Sequence, residues 1–357
     1  MKRRTILIIA FFLVAAGLLL RWVYKTPATK AFNNGTHYKL VENWPQLPKG
    51  FVLGNPTGIG IDSHQNIVVF HRASREWPYI MPMPRSRIAE NTVLILDRNS
   101  GKIIHSWGSN LFVIPHGLTV DRFNNIWVTD VGLHQVFKFS YDGKLLLKLG
   151  EAFIPGDDET HFNKPTDIAV ARDGAFYVSD GYGNSRIIKF SASGKYTLAW
   201  GKPGRNSGEF DIPHAVDLDD RGNVYVADRE NQRIQIFDRD GAFIKTIHGN
   251  DWGDMCSVVN DSAHSRLIAV DDDNTFKLKH NGSDILILDT VGTPTGRFGK
   301  SGLYKGAVSW YHDVTVDRDG NIYVADILGN KLQKFEVVAT KNPGRLSAHR
   351  DQPKNKK

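Results

Sequence analysis

Pro213-His214-Ala215-Val216-Asp217-Leu218-Asp219 is the stretch on which the reading of this chain turns, because it recurs with changes at regular distances. Pro115-His116-Gly117-Leu118-Thr119-Val120-Asp121 precedes it, and Tyr311-His312-Asp313-Val314-Thr315-Val316-Asp317 follows it. The three histidines lie 98 residues apart, twice over. Between the first two sits a copy without histidine, Lys164-Pro165-Thr166-Asp167-Ile168-Ala169-Val170. The underlying period is therefore about half of 98, and histidine marks every second repeat. Aligned on this motif, repeats start near Pro56, Pro115, Pro165, Pro213, Cys256 and Tyr311.

The clearest repeat, residues 165–201, predicts strands over 167–170, 175–179, 186–190 and 196–200. Its turns fall at Arg172-Asp173-Gly174 and Ser193-Gly194, the residue types that tight hairpins require. Four strands in a period of roughly 40–50 residues are the signature of a propeller blade. The fold class expected is all-β, a six-bladed propeller over about residues 35–338, with residues 38–53 helping to close the ring. The fifth repeat, residues 256–292, is the most degenerate. The repeats resemble the NHL class, in which most Asp and Gly residues serve turns. Asp130, Asp180, Asp228 and Asp326, each ending a second strand, are read as structural caps of that kind.

Charge sits at the ends of the chain. The formal +7 comprises +6 in residues 1–30 and +5 in residues 341–357, which leaves about −4 for the body. A nucleic-acid surface needs its basic residues clustered on the fold, so no nucleic-acid partner is expected. Residues 339–357 read as a disordered basic tail. Lys2-Arg3-Arg4 precedes an uncharged, largely apolar run, residues 5–20, closed by Arg21. That pattern is an export signal. Residues 1–34 are read as a signal anchor, giving a membrane-tethered propeller outside the cytoplasm, or a secreted one if the signal is cleaved. The single cysteine, Cys256, excludes an intrachain disulfide.

In a propeller the first strand of each blade lines the central channel. Blades two, four and six of six are 120° apart, so His116, His214 and His312 are expected at one level, facing a common centre. Three neutral imidazoles with an open fourth position describe a catalytic zinc site. Second strands return to the same face, which brings His71, Arg72, Gly181, Tyr182 and Arg229 around that centre. Blade one then carries an insertion, residues 73–91, containing Trp77, Tyr79, Met81 and Met83. Its reading is either an apolar substrate rim or packing.

Several blocks go further. Val69-Phe70-His71-Arg72, Pro115-His116-Gly117-Leu118, Trp127-Val128-Thr129-Asp130-Val131-Gly132-Leu133-His134-Gln135-Val136-Phe137-Lys138, Val178-Ser179-Asp180-Gly181-Tyr182-Gly183-Asn184-Ser185-Arg186 and Val226-Ala227-Asp228-Arg229-Glu230-Asn231 resemble peptidyl-α-hydroxyglycine α-amidating lyase. The resemblance covers roughly residues 48–337. It implies cleavage of a peptide or small molecule with a hydroxyglycine-like end to an amide and glyoxylate, with zinc as cofactor and a structural calcium. It implies His116, His214 and His312 as zinc ligands, Tyr182 as catalytic tyrosine, Arg72 as active-site arginine and Arg229 as a second arginine near the substrate. Which arginine holds the substrate carboxylate stays open. The calcium would take the Asp313 carboxylate and the backbone carbonyls of Ile59 and Leu118, a hard-oxygen set suited to that ion. Where the family has a methionine, two residues before the third histidine, this chain has Trp310, a bulkier substrate-binding residue expected to narrow or close the site.

Two other readings compete. One is a different metal-dependent propeller enzyme, such as a lactonase-like hydrolase, against which the histidines at channel positions count. The other is a non-enzymatic exported binding propeller, for which a complete His/Tyr/Arg set would be coincidence.

Overall fold

The computed structural model describes residues 37–78, 82–275, 279–299 and 308–338. Their strands form six antiparallel sheets. Blade one comprises Pro56–Ile61, Ile67–His71, Val93–Leu96 and Ile103–Trp107. Blade two comprises Pro115–Val120, Ile126–Asp130, Gln135–Phe139 and Leu145–Leu149. Blade three has Asp167–Val170, Phe176–Asp180, Arg186–Phe190 and Tyr196–Trp200, with its second strand one residue later than the repeat pattern predicts. Blade four follows with Pro213–Leu218, Val224–Asp228, Arg233–Phe237 and Phe243–His248. The degenerate fifth blade is Asp254–Asp261, Arg266–Thr275, Asp284–Asp289 and Pro294–Gly299, and Lys279–Gly282 adds a fifth strand against Arg266–Thr275. Blade six has Tyr311–Val316, Ile322–Asp326 and Lys331–Val338, completed by the N-terminal strand His37–Leu40 pairing with Lys331–Val338.

That last pairing joins the two ends of the described chain in one sheet and closes the ring. Tyr38 fastens it: its ring stacks on Phe298 of blade five at 5.0 Å, its hydroxyl donates to the Gly320 carbonyl, and Arg266 donates to that hydroxyl. The apolar run of residues 5–20 and the tail 339–357 lie outside the described residues. Among those described, no helix is long and apolar enough to cross a membrane.

Six apolar clusters fill the six gaps between neighbouring sheets, so the core is a ring of sheet-on-sheet interfaces. This explains the second strands. Ile-Val-Val-Phe-His, Ile-Trp-Val-Thr-Asp and Val-Tyr-Val-Ala-Asp are buried at every position, because each such strand has a sheet on both faces. The aspartates that end these strands act as expected. Asp130 accepts the backbone N–H groups of Val113, Ile114 and Leu133. Asp228 accepts from the Asp211 N–H and from Asn231, Arg233 and Gln235 side chains. A second staple sits in the turn between strands one and two. Asp62, Asp121, Asp219 and Asp317 each accept the N–H and the side-chain amide of an asparagine four residues on.

Candidate active site

The pairing of strands one and two slips just where the histidines stand. In blade four Pro213 pairs with Asp228 and Ala215 with Ala227, so His214 is the extra residue of a β-bulge. In blade six the same slip isolates His312 between Tyr311 and Asp313. In blade two the register jumps from Pro115 to Leu118 across His116. A bulge breaks the strand's alternation and re-aims a side chain; here it turns each imidazole toward the channel axis. The ring centroids are 4.6 to 4.8 Å apart, and all three histidines are buried. Among the described residues they form one convergent donor group, with ligand nitrogens within 4.8 Å of one another.

The alternation of histidine with other residues has a structural cause. His116 Nδ1 lies 2.6 Å from the carbonyl oxygen of Thr166 in blade three. His214 Nδ1 lies 2.6 Å from that of Cys256 in blade five, and His312 Nδ1 lies 2.7 Å from that of Thr57 in blade one. Each histidine thus donates Nδ1–H to the corresponding residue of the next blade, and the bulges at Thr57 and Cys256 present those carbonyls. The tautomer follows: Nε2 is the lone-pair nitrogen, and it points to the centre. Burial lowers all three pKa values, helped by neighbouring imidazoles at His116 and His214 and by the Arg72 charge at each, and takes that of His312 to about 3. Three neutral imidazoles with fixed Nε2 donors fit a zinc-class cation and suit hard calcium poorly.

Tyr182 completes the centre. Its hydroxyl is 3.1 Å from Nε2 of both His116 and His214. Gly181 makes that approach possible, since a Cβ there would stand 2.2 Å from the Pro213 carbonyl oxygen. Burial raises the Tyr182 phenol above its ordinary value, opposed by the Arg229 and Arg72 guanidinium charges. Arg72 donates from Nε to the Pro115 carbonyl at 3.1 Å, and its guanidinium lies over the Trp77 ring at 4.9 Å. Trp77 in turn packs on Tyr182 at 5.4 Å. The blade-one insertion therefore reaches the centre through Trp77, while Met83 packs on the core between blades one and two. Tyr79 and Met81 lie outside the described residues. Arg229, on the other side, has its guanidinium 5.7 Å from the Trp310 ring and its Nε 3.6 Å from Glu230.

These groups meet at the inner end of a cavity of about 800 Å³, whose lining includes Arg72, Trp77, Tyr182, Arg229, Trp310 and His312. Trp310 is one of the residues lining this cavity together with His312, and its ring faces the Arg229 guanidinium.

A second cavity, about 390 Å³, lies farther along the same first strands and is lined by Ile59, Leu118 and Asp313, with Asp167 and Asp217. Asp313 accepts from the Ile59 N–H at 2.8 Å and from the Ser257 hydroxyl at 2.7 Å. Burial and mutual repulsion raise Asp167 and Asp313 above the usual carboxylate range, and burial raises Asp217 to about 6. Sequence reasoning missed Asp167 and Asp217. A signal for the first was present: Asp167 follows Thr166 as Asp313 follows His312, at the same point of the repeat.

The model of the NHL repeat matches residues 162–190 and 210–237, within blades three and four. Peptidyl-α-hydroxyglycine α-amidating lyase 1 of Drosophila melanogaster is 35% identical over 364 residues, covering 87% of this chain and 66% of the fly protein. The chain belongs to the peptidyl-α-hydroxyglycine α-amidating lyase family. Peptidyl-glycine alpha-amidating monooxygenase B of Xenopus laevis is 36% identical over 336 residues, 87% of this chain but 37% of the frog protein. The chain thus spans about a third of the length of that relative and about two thirds of the fly lyase. A gluconolactonase from Xanthomonas campestris shares the fold, with a TM-score of 0.55 and 16% identity over 80% of this chain and 89% of that one. At that identity the likeness is one of fold, and it lends the hydrolase reading nothing. The buried cluster of His116, His214 and His312 is a candidate metal site.

Proposed function

We propose that the chain is a zinc-dependent lyase that cleaves a peptidyl-α-hydroxyglycine, or a similar carbinolamide, into an amide and glyoxylate. The observation that carries the reading is the convergence of three imidazoles on one another, each oriented by an Nδ1–H bond to the next blade, with the Tyr182 hydroxyl 3.1 Å from two of their Nε2 atoms. His116, His214 and His312 would hold zinc, which when bound supplies a Lewis acid that acidifies the substrate hydroxyl.

The rest is the work of the chain's own side chains. Tyr182, held at the imidazoles, acts as its phenolate, which the Arg72 and Arg229 charges favour against the burial that raises the phenol. It takes the hydroxyl proton as the hydroxyl-bearing carbon becomes a carbonyl. The C–N bond breaks, and the proton passes back from Tyr182 to the departing amide nitrogen, so that proton and charge balance. Arg72 and Arg229 favour the phenolate and offer planar donor pairs for the substrate carboxylate. Asp313 with the Ile59 and Leu118 carbonyls is proposed as a structural calcium site, with Asp167 and Asp217 adding negative charge to the same cavity. The basic-then-apolar N-terminus supports a body that works outside the cytoplasm on a membrane tether.

The test is product analysis. Zinc-loaded protein incubated with a short peptidyl-α-hydroxyglycine should release glyoxylate and peptide amide in equal amounts. Hydrolysis of a lactone without glyoxylate release would favour the hydrolase reading instead.

A further inference from the structure

The cavity is much larger than the group the proposed chemistry consumes. A hydroxyglycine unit has six heavy atoms, which at about the 30 Å³ share of a water molecule need roughly 180 Å³. About 800 Å³ is present. With carboxylate and hydroxyl held at the inner end, the acyl part of the substrate has to run outward past the wall of the mouth.

The lining of the cavity beyond the centre combines polar Ser74, Arg75 and Glu76 with apolar Phe51, Val52, Leu53, Ile327 and Leu328. The apolar part is built from distant pieces of chain. Residues 51–53 enter blade one, while Ile327 and Leu328 follow the second strand of blade six. Asn55 joins them by donating its side-chain amide to the Ile327 carbonyl at 2.9 Å. Leu53 is anchored in the core between blades six and one, and Phe51 packs against it. Val52, 62% exposed, and Leu328, 47% exposed, line the same cavity. Two exposed aliphatic residues lining one cavity beside a braced apolar segment make a ready contact for another apolar group.

We propose that Val52 and Leu328, backed by Phe51, Leu53 and Ile327, form a subsite for the side chain of the residue that precedes the hydroxyglycine. The preferred substrates are then acyl-hydroxyglycines with an apolar residue at that position. This inference rests on the lyase reading above and assigns the substrate class within it.

The experiment compares three substrates on the full zinc-loaded chain: N-acetyl-Phe-, N-acetyl-Gly- and N-acetyl-Asp-α-hydroxyglycine. Moving an apolar side chain from water onto such a wall is worth about 10-fold or more in kcat/KM, so the phenylalanine substrate should lead the glycine one by that factor, with aspartate last. In Val52→Asp and Leu328→Asp, and in the milder Val52→Ser and Leu328→Ser, the ratio of phenylalanine to glycine should fall toward one, through KM. Equal kcat/KM for the three substrates overturns the subsite while leaving the lyase intact. So does a ratio that survives all four substitutions. If none of the three releases glyoxylate, the lyase reading falls and takes the subsite with it.

Discussion

At the scale of single residues, the proposed mechanism gives His116, His214 and His312 the metal and Tyr182 the proton. Tyr182 touches two histidines, but in the proposed mechanism it moves a proton rather than holding metal, so Tyr182→Phe should lower turnover by about 10²–10⁴, the usual worth of general-base assistance. Zinc content and melting temperature should stay at wild-type values. His214→Ala should behave differently, losing zinc and activity together, because two imidazoles leave the metal one protein ligand short. Metal analysis beside the rate assay separates the two outcomes. The candidate residues themselves were legible in the sequence, since spacing alone paired the histidines. What spacing could not show is the second set, Thr166, Cys256 and Thr57. Their carbonyls orient the histidines, and a backbone atom leaves no mark in residue identity.

Among the elements, the β-bulge and the sharp turn after strand two decide whether the site assembles. A Cβ at Gly181 would meet the Pro213 carbonyl oxygen at 2.2 Å, a backbone atom that cannot step aside cheaply. Gly181→Ala should therefore displace Tyr182 and cut turnover while the three histidines, on other strands, still bind metal. Asp228 tests the scaffold instead. Its buried carboxylate gathers the Asp211 N–H and three side chains, Arg233 among them. Asp228→Ala should destabilise the fold by about 3 kcal/mol, the low end for breaking a buried charged network, measured by denaturant unfolding. Strand positions were legible to within a residue or two where turn residues are strong, as in blade three. They were less so in blade five, which starts at Asp254 and carries the additional strand Lys279–Gly282. There the chain departs from the repeat pattern by which the other strands were read.

For the whole molecule, closure of the ring makes the alternation of histidines into a site, since each histidine is oriented by the blade that follows it. His312 in blade six depends on Thr57 in blade one across the seam that His37–Leu40 closes. A chain lacking residues 1–40 should lose this strand, expose the Phe298 and Phe335 side of the last blade, and unfold at a clearly lower temperature. The fold class was legible because six copies of one motif can bury their faces only by stacking around a ring. The pairing of Trp310 with Arg229 was not, since the two are 81 residues apart and meet only across the folded cavity wall. The central claim is that the three histidines hold a metal on which amide and glyoxylate formation depends. Its most direct test is the rate of glyoxylate release from a peptidyl-α-hydroxyglycine by chelator-stripped protein titrated with zinc. Release should be negligible without metal, recover to saturation at one zinc per chain, and not recover in His214→Ala. Release that is undiminished in the stripped protein, or absent at full zinc occupancy, would contradict the claim.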